Sequence, residues 1–287
     1  MEQHVDYDSA ADGKLSLALL VKLLLSGVQV LGGSVAGSLS LIADSIHNLG
    51  DAGALLVAVI ARRIGNKSAD KVMTYGYKRA DILGALINSV FLLAVGCYLI
   101  VQVVGKYLSP TEVDGWIVLW VAGVALLVNI TTSLLTYKAG ARSDINIKAV
   151  FIHNASDAIA SLIVIVASVL IINYKLYIFD LIATTGISIY VMCNGAILLR
   201  RCIIILMQGV PDSIDMEQVR VALESIEGVK KVESMHVWQL DDKKIFFEGH
   251  ILLNGAEPEI VKRKIRVALR HQFCINHTTL ETNAHGA

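Results

Sequence analysis

The chain is predicted to be an α-helical membrane protein of six spanning helices with a small C-terminal α+β domain, and three observations carry that prediction. Of its 287 residues, 55% are hydrophobic and only 17% charged, against about 25% charged in an average soluble protein. Six stretches approach or exceed the roughly 20 mostly apolar residues that a spanning helix needs. Everything after Gln208 is too polar to span and alternates helical with strand patterns instead.

The elements follow in chain order. Residues 1–13 are acidic and polar, and the apolar run behind them has no small-residue cleavage pattern, so a polar N-terminal segment and a retained first helix are expected rather than a removable signal peptide. The spans are placed at about 15–34, 38–61, 82–104, 116–135, 149–172 and 178–199, inside a membrane domain of residues 14–208. Arg62, Arg63, Lys67, Lys71, Lys78 and Arg79 lie between the second and third spans, and Lys138, Arg142 and Lys148 between the fourth and fifth. Arg200 and Arg201 follow the sixth, whereas the opposite side carries only Lys106 and Lys175. Because cytoplasmic connections accumulate Lys and Arg, both termini are expected in the cytoplasm. Small residues such as Gly50, Gly53, Gly84, Ala155, Ser156 and Ser161 would let helices approach closely.

The last part, residues 209–287, reads as αββαβ. Asp215–Ile226 has helical spacing and ends at Gly228. Lys231–Leu240 and Ile245–Leu253 are rich in β-branched and aromatic residues around Asp241-Asp242-Lys243-Lys244, a hairpin signal. Glu259–Phe273 is again helical, and Thr278–Thr282 makes a final short strand. Such a length suffices for one small domain with a modest core.

The chemistry is concentrated in a duplicated heptapeptide, Ile-His-Asn-x-x-Asp-Ala, at Ile46–Ala52 and again at Ile152–Ala158, each inside a long apolar run. Residues four apart on a helix share a face, so His47 with Asp51 and His153 with Asp157 would offer two imidazoles and two carboxylates at one point if the second and fifth spans pack together. That is a tetrahedral ligand set. Ionisable groups at membrane depth are costly and mark transport pathways, so a divalent-metal site in a carrier is the expectation. Asp44 lies one turn before His47, while Lys22 in the first span and Asp180 near the sixth read as snorkelling or ion-paired charges without a transport role. Lys plus Arg and Asp plus Glu both number 25, which gives no support for a nucleic-acid partner. Cys97, Cys193, Cys202 and Cys274 have no C-x-x-C spacing and read as reduced thiols. A His-Glu-x-x-His zinc-hydrolase motif is absent, so an intramembrane metalloenzyme finds no support. A membrane metal sensor that binds zinc without moving it is the other class to separate.

The sequence resembles the cation diffusion facilitator family, in the branch of zinc transporters and cobalt-zinc-cadmium resistance exporters. The resemblance runs from about residue 14 to 282. It rests on Ser38-Leu39-Ser40-Leu41-Ile42-Ala43-Asp44-Ser45-Ile46-His47, on Ala69-Asp70-Lys71 leading to Tyr75-Gly76-Tyr77-Lys78-Arg79-Ala80, on His153-Asn154-Ala155-Ser156-Asp157, and on Gly209-Val210-Pro211 with His236-Val237-Trp238. It implies a homodimer in the lipid bilayer, a ferredoxin-like cytoplasmic domain, and export of zinc ions from the cytoplasm in exchange for protons, with no organic cofactor. Other divalent metals, among them cadmium, cobalt, iron and manganese, are the alternative cargo. It places the transport site at His47, Asp51, His153 and Asp157, with His at position 47 favouring zinc over cadmium. His236 and His250 sit in the two strands of the hairpin, and a loop centred on Lys243 would set them opposite each other. The resemblance adds Glu281 as a third ligand of a regulatory zinc site there, with His271, His277 and His285 as candidates for a further ligand. Three features depart from the family. Residues 64–78 contain no His or Cys, so no metal is expected in that connection, and Asp70 alone is a poor site. A His-rich loop between the fourth and fifth spans is missing, which favours a bacterial inner membrane. Met207 and Gln208 stand where some members carry an acid to pair with the cation at Arg79, so that dimer-stabilising ion pair is not expected.

Overall fold

The computed structural model describes residues 5–138, 145–241 and 244–283, excluding the side chains of residues 5–19, 55, 58, 62, 136, 138 and 145–150. The polar tip of the chain, much of the connection between the fourth and fifth helices, the centre of the hairpin turn and His285 therefore lie outside the described residues. The elements are α1 (Val5–Ala36), α2 (Leu39–Gly65), α3 (Ala80–Leu108), α4 (Gly115–Lys138), α5 (Ile145–Tyr174), α6 (Ile178–Leu206), α7 (Met216–Glu224), β1 (Val229–Gln239), β2 (Ile245–Leu253), α8 (Pro258–Phe273) and β3 (His277–Asn283). The chain divides into two compact units, residues 1–56 with 87–197 and residues 57–86 with 198–287.

In the first unit, a single buried apolar cluster draws on all six long helices, through Ala36, Leu41, Leu92, Val118, Val164 and Ile187 among others. Large apolar side chains such as Leu31, Ile87, Trp120 and Leu127 point outward instead. Such an inverted surface is stable in hydrocarbon and not in water. Among the described residues, four helices are long and apolar enough to cross a membrane by composition: Ala80–Leu108, Gly115–Leu135, Phe151–Tyr174 and Ile178–Leu206. The part of α1 whose side chains are described, Leu20–Ala36, is apolar but shorter. The 27 residues of α2 would extend about 40 Å, ample for a hydrocarbon layer near 30 Å. What lowers its hydropathy is the polar set Asp44, His47, Asn48 and Asp51.

Several sequence features set these boundaries. Gly37 takes φ +66° after the last turn of α1, and the Ser38 N–H bonds back to the Gly33 carbonyl at 2.9 Å, a left-handed stop that favours glycine. The Asp114 carboxylate accepts from the Trp116 and Ile117 N–H groups at 3.0 and 3.3 Å and so starts α4. Leu92 of α3 packs over Gly50 of α2, where an added Cβ would stand 2.5 Å from Leu92 Cδ2 and push that side chain aside. Among the helices, α4 packs against α5 and α1.

Asp180, fully buried at the start of α6, accepts hydrogen bonds from Ser38 Oγ and Ser40 Oγ at 2.6 Å each and from the Leu39 and Ser40 N–H groups at 2.9 and 3.2 Å. It thus caps the first turn of α2 from another helix, where four backbone donors would otherwise be orphaned. Lys106 Nζ lies 3.8 Å from the same carboxylate and also donates to the Gly37 carbonyl. Asp180 is an ion-paired charge, as expected, and its further structural duty is to tie α1, α2, α3 and α6 together.

In the second unit the order α7-β1-β2-α8-β3 reproduces the predicted αββαβ, a ferredoxin-like arrangement lacking its first strand. The sheet order is β1-β2-β3, with β1 antiparallel to β2 and β3 parallel to it. The α8 crossover makes that parallel pairing possible. Val232, Val237, Phe247, Ile251 and Leu253 on one face of the sheet pack with Val219 and Leu223 of α7 and Val261, Ile265 and Leu269 of α8. The opposite face carries no helix of this domain. Asp215 caps α7, accepting from the Glu217 and Gln218 N–H groups. Pro258 begins α8 and Cys274, at φ 56°, ends it.

The same unit contains the connection from α2 to α3. Asp70 accepts from the Val72 and Met73 N–H groups at 2.8 and 2.7 Å and from Tyr77 Oη at 2.8 Å. Those bonds hold its carboxyl below the usual range and raise the Tyr77 phenol. Its carboxylate is thereby occupied in shaping the loop. Tyr75 from this loop meets Phe246 of β2 edge-on, ring centroids 5.4 Å apart.

Candidate metal centre

On α2 and α5 the repeated His-x-x-x-Asp pairs face each other. His47 Nε2 stands 3.3 Å from Asp157 Oδ1, and His153 Nε2 stands 3.1 Å from Asp51 Oδ2 and 3.7 Å from Asp157 Oδ2. Each histidine thus reaches the carboxylate carried by the other helix. The imidazole rings meet edge-on at 6.2 Å, and Tyr190 of α6 stands edge-on to His47 at 5.8 Å. His47, Asp51 and Asp157 form the one group among the described residues whose ligand atoms all lie within 4.8 Å of one another.

The burial is that of an interior site. Asp157 is fully buried and the His47 side chain is 7% exposed, whereas Asp51 and His153 are 19% and 40% exposed. Both ring nitrogens of His47, Asp51 Oδ2 and Asp157 Oδ1 are buried without a hydrogen bond. A buried polar group left without a partner costs roughly 1–3 kcal/mol. One ring nitrogen of His47 together with Asp51 and Asp157 oxygens, all within 4.8 Å of one another, forms a donor set that a divalent ion would satisfy, with nitrogen and oxygen ligands of the kind zinc takes.

A second polar layer adjoins this set and was only partly legible in the sequence. Asp44 Oδ2 accepts from Gln29 Nε2 at 2.6 Å and from Ser161 Oγ at 3.4 Å. Asn48 Nδ2 donates to Gln29 Oε1 at 3.1 Å, and Asn129 Nδ2 to Ser161 Oγ at 3.3 Å. The chain of contacts joins α1, α2, α4 and α5 around the ligand pair. Lys22 is ion-paired, as the sequence suggested, but its partners are two of the candidate ligands: Nζ lies 3.4 Å from Asp157 Oδ2 and 3.6 Å from Asp51 Oδ2. A lone lysine in an apolar run gave no hint of which helix it would face.

The open face of the C-terminal sheet requires a correction. His236 pairs across the strands with Glu248, and His250 with Ser234. The two histidines are not opposite each other. The register differs from the expected one because Gln239 pairs with Ile245 and Trp238 with Phe246, and the Leu240 N–H bonds to the Lys244 carbonyl at 2.9 Å beyond them. They remain on one face as diagonal neighbours, a spacing of about 7–8 Å. His250 faces Glu281 across β2 and β3, with Nδ1 to Oε2 3.4 Å, both groups well exposed. Glu248, between the histidines on that face, is an acid that strand alternation could have identified. His277 lies one row further along, its ring 4.6 Å from Phe246. His271 sits on the exposed side of α8, beyond the opposite face of the sheet.

Comparison with known proteins agrees with this architecture. Residues 15–207 match the model of the cation efflux transmembrane domain, and residues 211–284 match that of the cation efflux protein cytoplasmic domain. The chain belongs to the cation efflux family, a family of transporters and not of enzymes. It is 30% identical over 265 residues to a cadmium, cobalt and zinc/H(+)-K(+) antiporter of Bacillus subtilis, covering 90% of this chain and 85% of that one. It is also 30% identical to the metal cation efflux system protein CzcD of Cupriavidus metallidurans, covering 93% and 84%. The human proton-coupled zinc antiporter SLC30A8 is 26% identical, covering 94% and 76%.

Proposed function

We propose that this integral membrane protein exports a divalent metal, zinc foremost, from the cytoplasm in exchange for protons, through a site made of His47, Asp51, His153 and Asp157. The observation that carries the reading is the convergence of buried, unsatisfied imidazole and carboxylate atoms from α2 and α5. The related proteins named for zinc and proton antiport support the choice of cargo and counter-ion.

The chemistry follows from the ligands. Imidazole binds a metal only when neutral, and carboxylate only when ionised, so protons and zinc compete for the same atoms. In the inward-open state the deprotonated set takes zinc, and two carboxylates neutralise its charge. Once the bundle opens outward, protons load the set and release the ion, and the protonated site returns. The four side chains lie within reach of one another, so proton uptake is assigned to the set and not to one residue. Both termini and the C-terminal domain face the cytoplasm in this reading, the chain divides near residues 208 and 209, the protein works as a homodimer, and the setting is a bacterial inner membrane. The C-terminal sheet would hold a regulatory zinc at His250 and Glu281, with His236 reaching in from the diagonal position and Glu248 between them.

Flux into proteoliposomes tests the core of the proposal. Under an imposed pH gradient, zinc should accumulate against its gradient, with cadmium and cobalt less favoured and manganese and iron weakest. Zinc movement indifferent to the pH gradient would refute proton exchange. Zinc binding without movement would favour a sensor.

A further inference from the structure

Lys22 lies on α1, a helix that supplies none of the four proposed ligands. Its ammonium stands between Asp51 and Asp157, with Nζ 3.6 and 3.4 Å from the Oδ2 atom of each, and its side chain is only 18% exposed. The same two oxygens are the ones His153 Nε2 approaches. The ammonium is therefore at the place where an ion held by this set would draw its charge compensation. Two carboxylates can balance a dication or one ammonium with charge to spare. They cannot balance both, and like charges a few ångströms apart repel strongly where water is scarce. Entry of one cation must displace the other.

We propose that Lys22 is a tethered counter-cation of the transport site, which occupies Asp51 and Asp157 when no metal is bound and swings away when metal enters, so weakening metal affinity and speeding release. The proposal rests on the reading of His47, Asp51, His153 and Asp157 as the transport site. Lysine suits the role because its charge is compact and sits on a flexible four-carbon stem. A helical side chain leans toward the N-terminus of its own helix, so the vacating ammonium has a direction to take along α1. A purely structural ion pair makes the opposite demand: removing it would leave the carboxylates poorly organised and bind metal less well.

The test is zinc titration and vesicle flux of the full-length chain, with His236→Ala and His250→Ala in every sample so that the sheet does not contribute. Lys22→Met, similar in length and uncharged, should bind zinc at least about tenfold more tightly, and its flux at saturating zinc should fall because release slows. Lys22→Arg, which can fork onto both carboxylates, should bind zinc more weakly and need more zinc for half-maximal flux. Unchanged or weaker zinc binding by a folded Lys22→Met protein would overturn the proposal. If that variant does not fold, Lys22→Arg decides, and unchanged or tighter binding by it would be equally fatal. Failure of the Lys22-containing parent to bind zinc at all would refute the transport-site reading instead.

Discussion

Asp157 is the residue on which the membrane site turns, since it is fully buried, meets both histidines and faces the ammonium of Lys22. Replacing Asp157 or Asp51 by Ala removes both a ligand and a counter-charge. We expect zinc flux to be abolished in a protein that still inserts and elutes as a folded species, and near-normal flux in either variant would exclude the site. His47→Asp replaces a directional imidazole nitrogen by a flexible oxygen ligand, which should relax discrimination and so admit the larger cadmium ion more readily. The measurement is the zinc-to-cadmium flux ratio, expected to fall several-fold. The meeting of these four side chains was legible because a repeated His-x-x-x-Asp inside apolar helices has few uses. Gln29 and Ser161 were not, since one amide and one hydroxyl in apolar runs are ordinary until the helix faces are known. Even Lys22, visible as a charge, could not be assigned a partner from spacing.

At the scale of elements, the beginning of α2 depends on a carboxylate from α6. Losing four hydrogen bonds to a buried charge should cost about 2–4 kcal/mol, so Asp180→Ala should lower the melting temperature and loosen the first turn of α2. Hydrogen exchange at Leu39, Ser40 and Leu41 would register it, and unchanged protection there would refute the capping role. Asp70 allows a prediction with a defined sign. Its carboxyl titrates below the ordinary value, chiefly through the Met73 N–H and then through Tyr77 and the Val72 N–H. The order it gives the α2–α3 loop is therefore present above the ordinary carboxylate range, near pH 4, and is lost as pH falls through its lowered value. Amide exchange at Val72 and Met73 should accelerate only below that range, and Asp70→Asn should lose much of this dependence. Strand β2 was read from the sequence with its observed limits, because β-branched and aromatic residues end cleanly at turn residues. The register between β1 and β2 was not, since a loop shift of one position moves each cross-strand partner by two residues.

For the whole molecule, two matching domain models and two compact units raise the question of whether the tail acts alone. The buried cluster of the sheet, α7 and α8 is closed on itself. A fragment of residues 209–287 should therefore fold and bind zinc, and His236→Ala with His250→Ala should remove that binding. Acidification should weaken it as well, because protons compete for the imidazoles. The full-length double variant should still transport, with a higher zinc threshold. Complete loss of flux in an intact dimer would place the sheet on the ion's route. The overall plan of apolar helices followed by a polar α+β tail was legible from hydropathy, which acts over long stretches and tolerates local error. The pairing of α2 with α5 rested on the duplicated motif alone.

Trp238 lies flat on Phe246, centroids 5.6 Å apart and planes 16° from parallel, and Tyr75 closes the edge of the same ring. The other two tryptophans, Trp116 and Trp120, are on α4, so the isolated tail has a single indole. It sits one row along the sheet from His236 and Glu248. A fluorophore thus stands beside the proposed cation site of the sheet and in contact, through Phe246, with the loop that joins α2 to α3. Changes in its emission can report events at that site without any attached label.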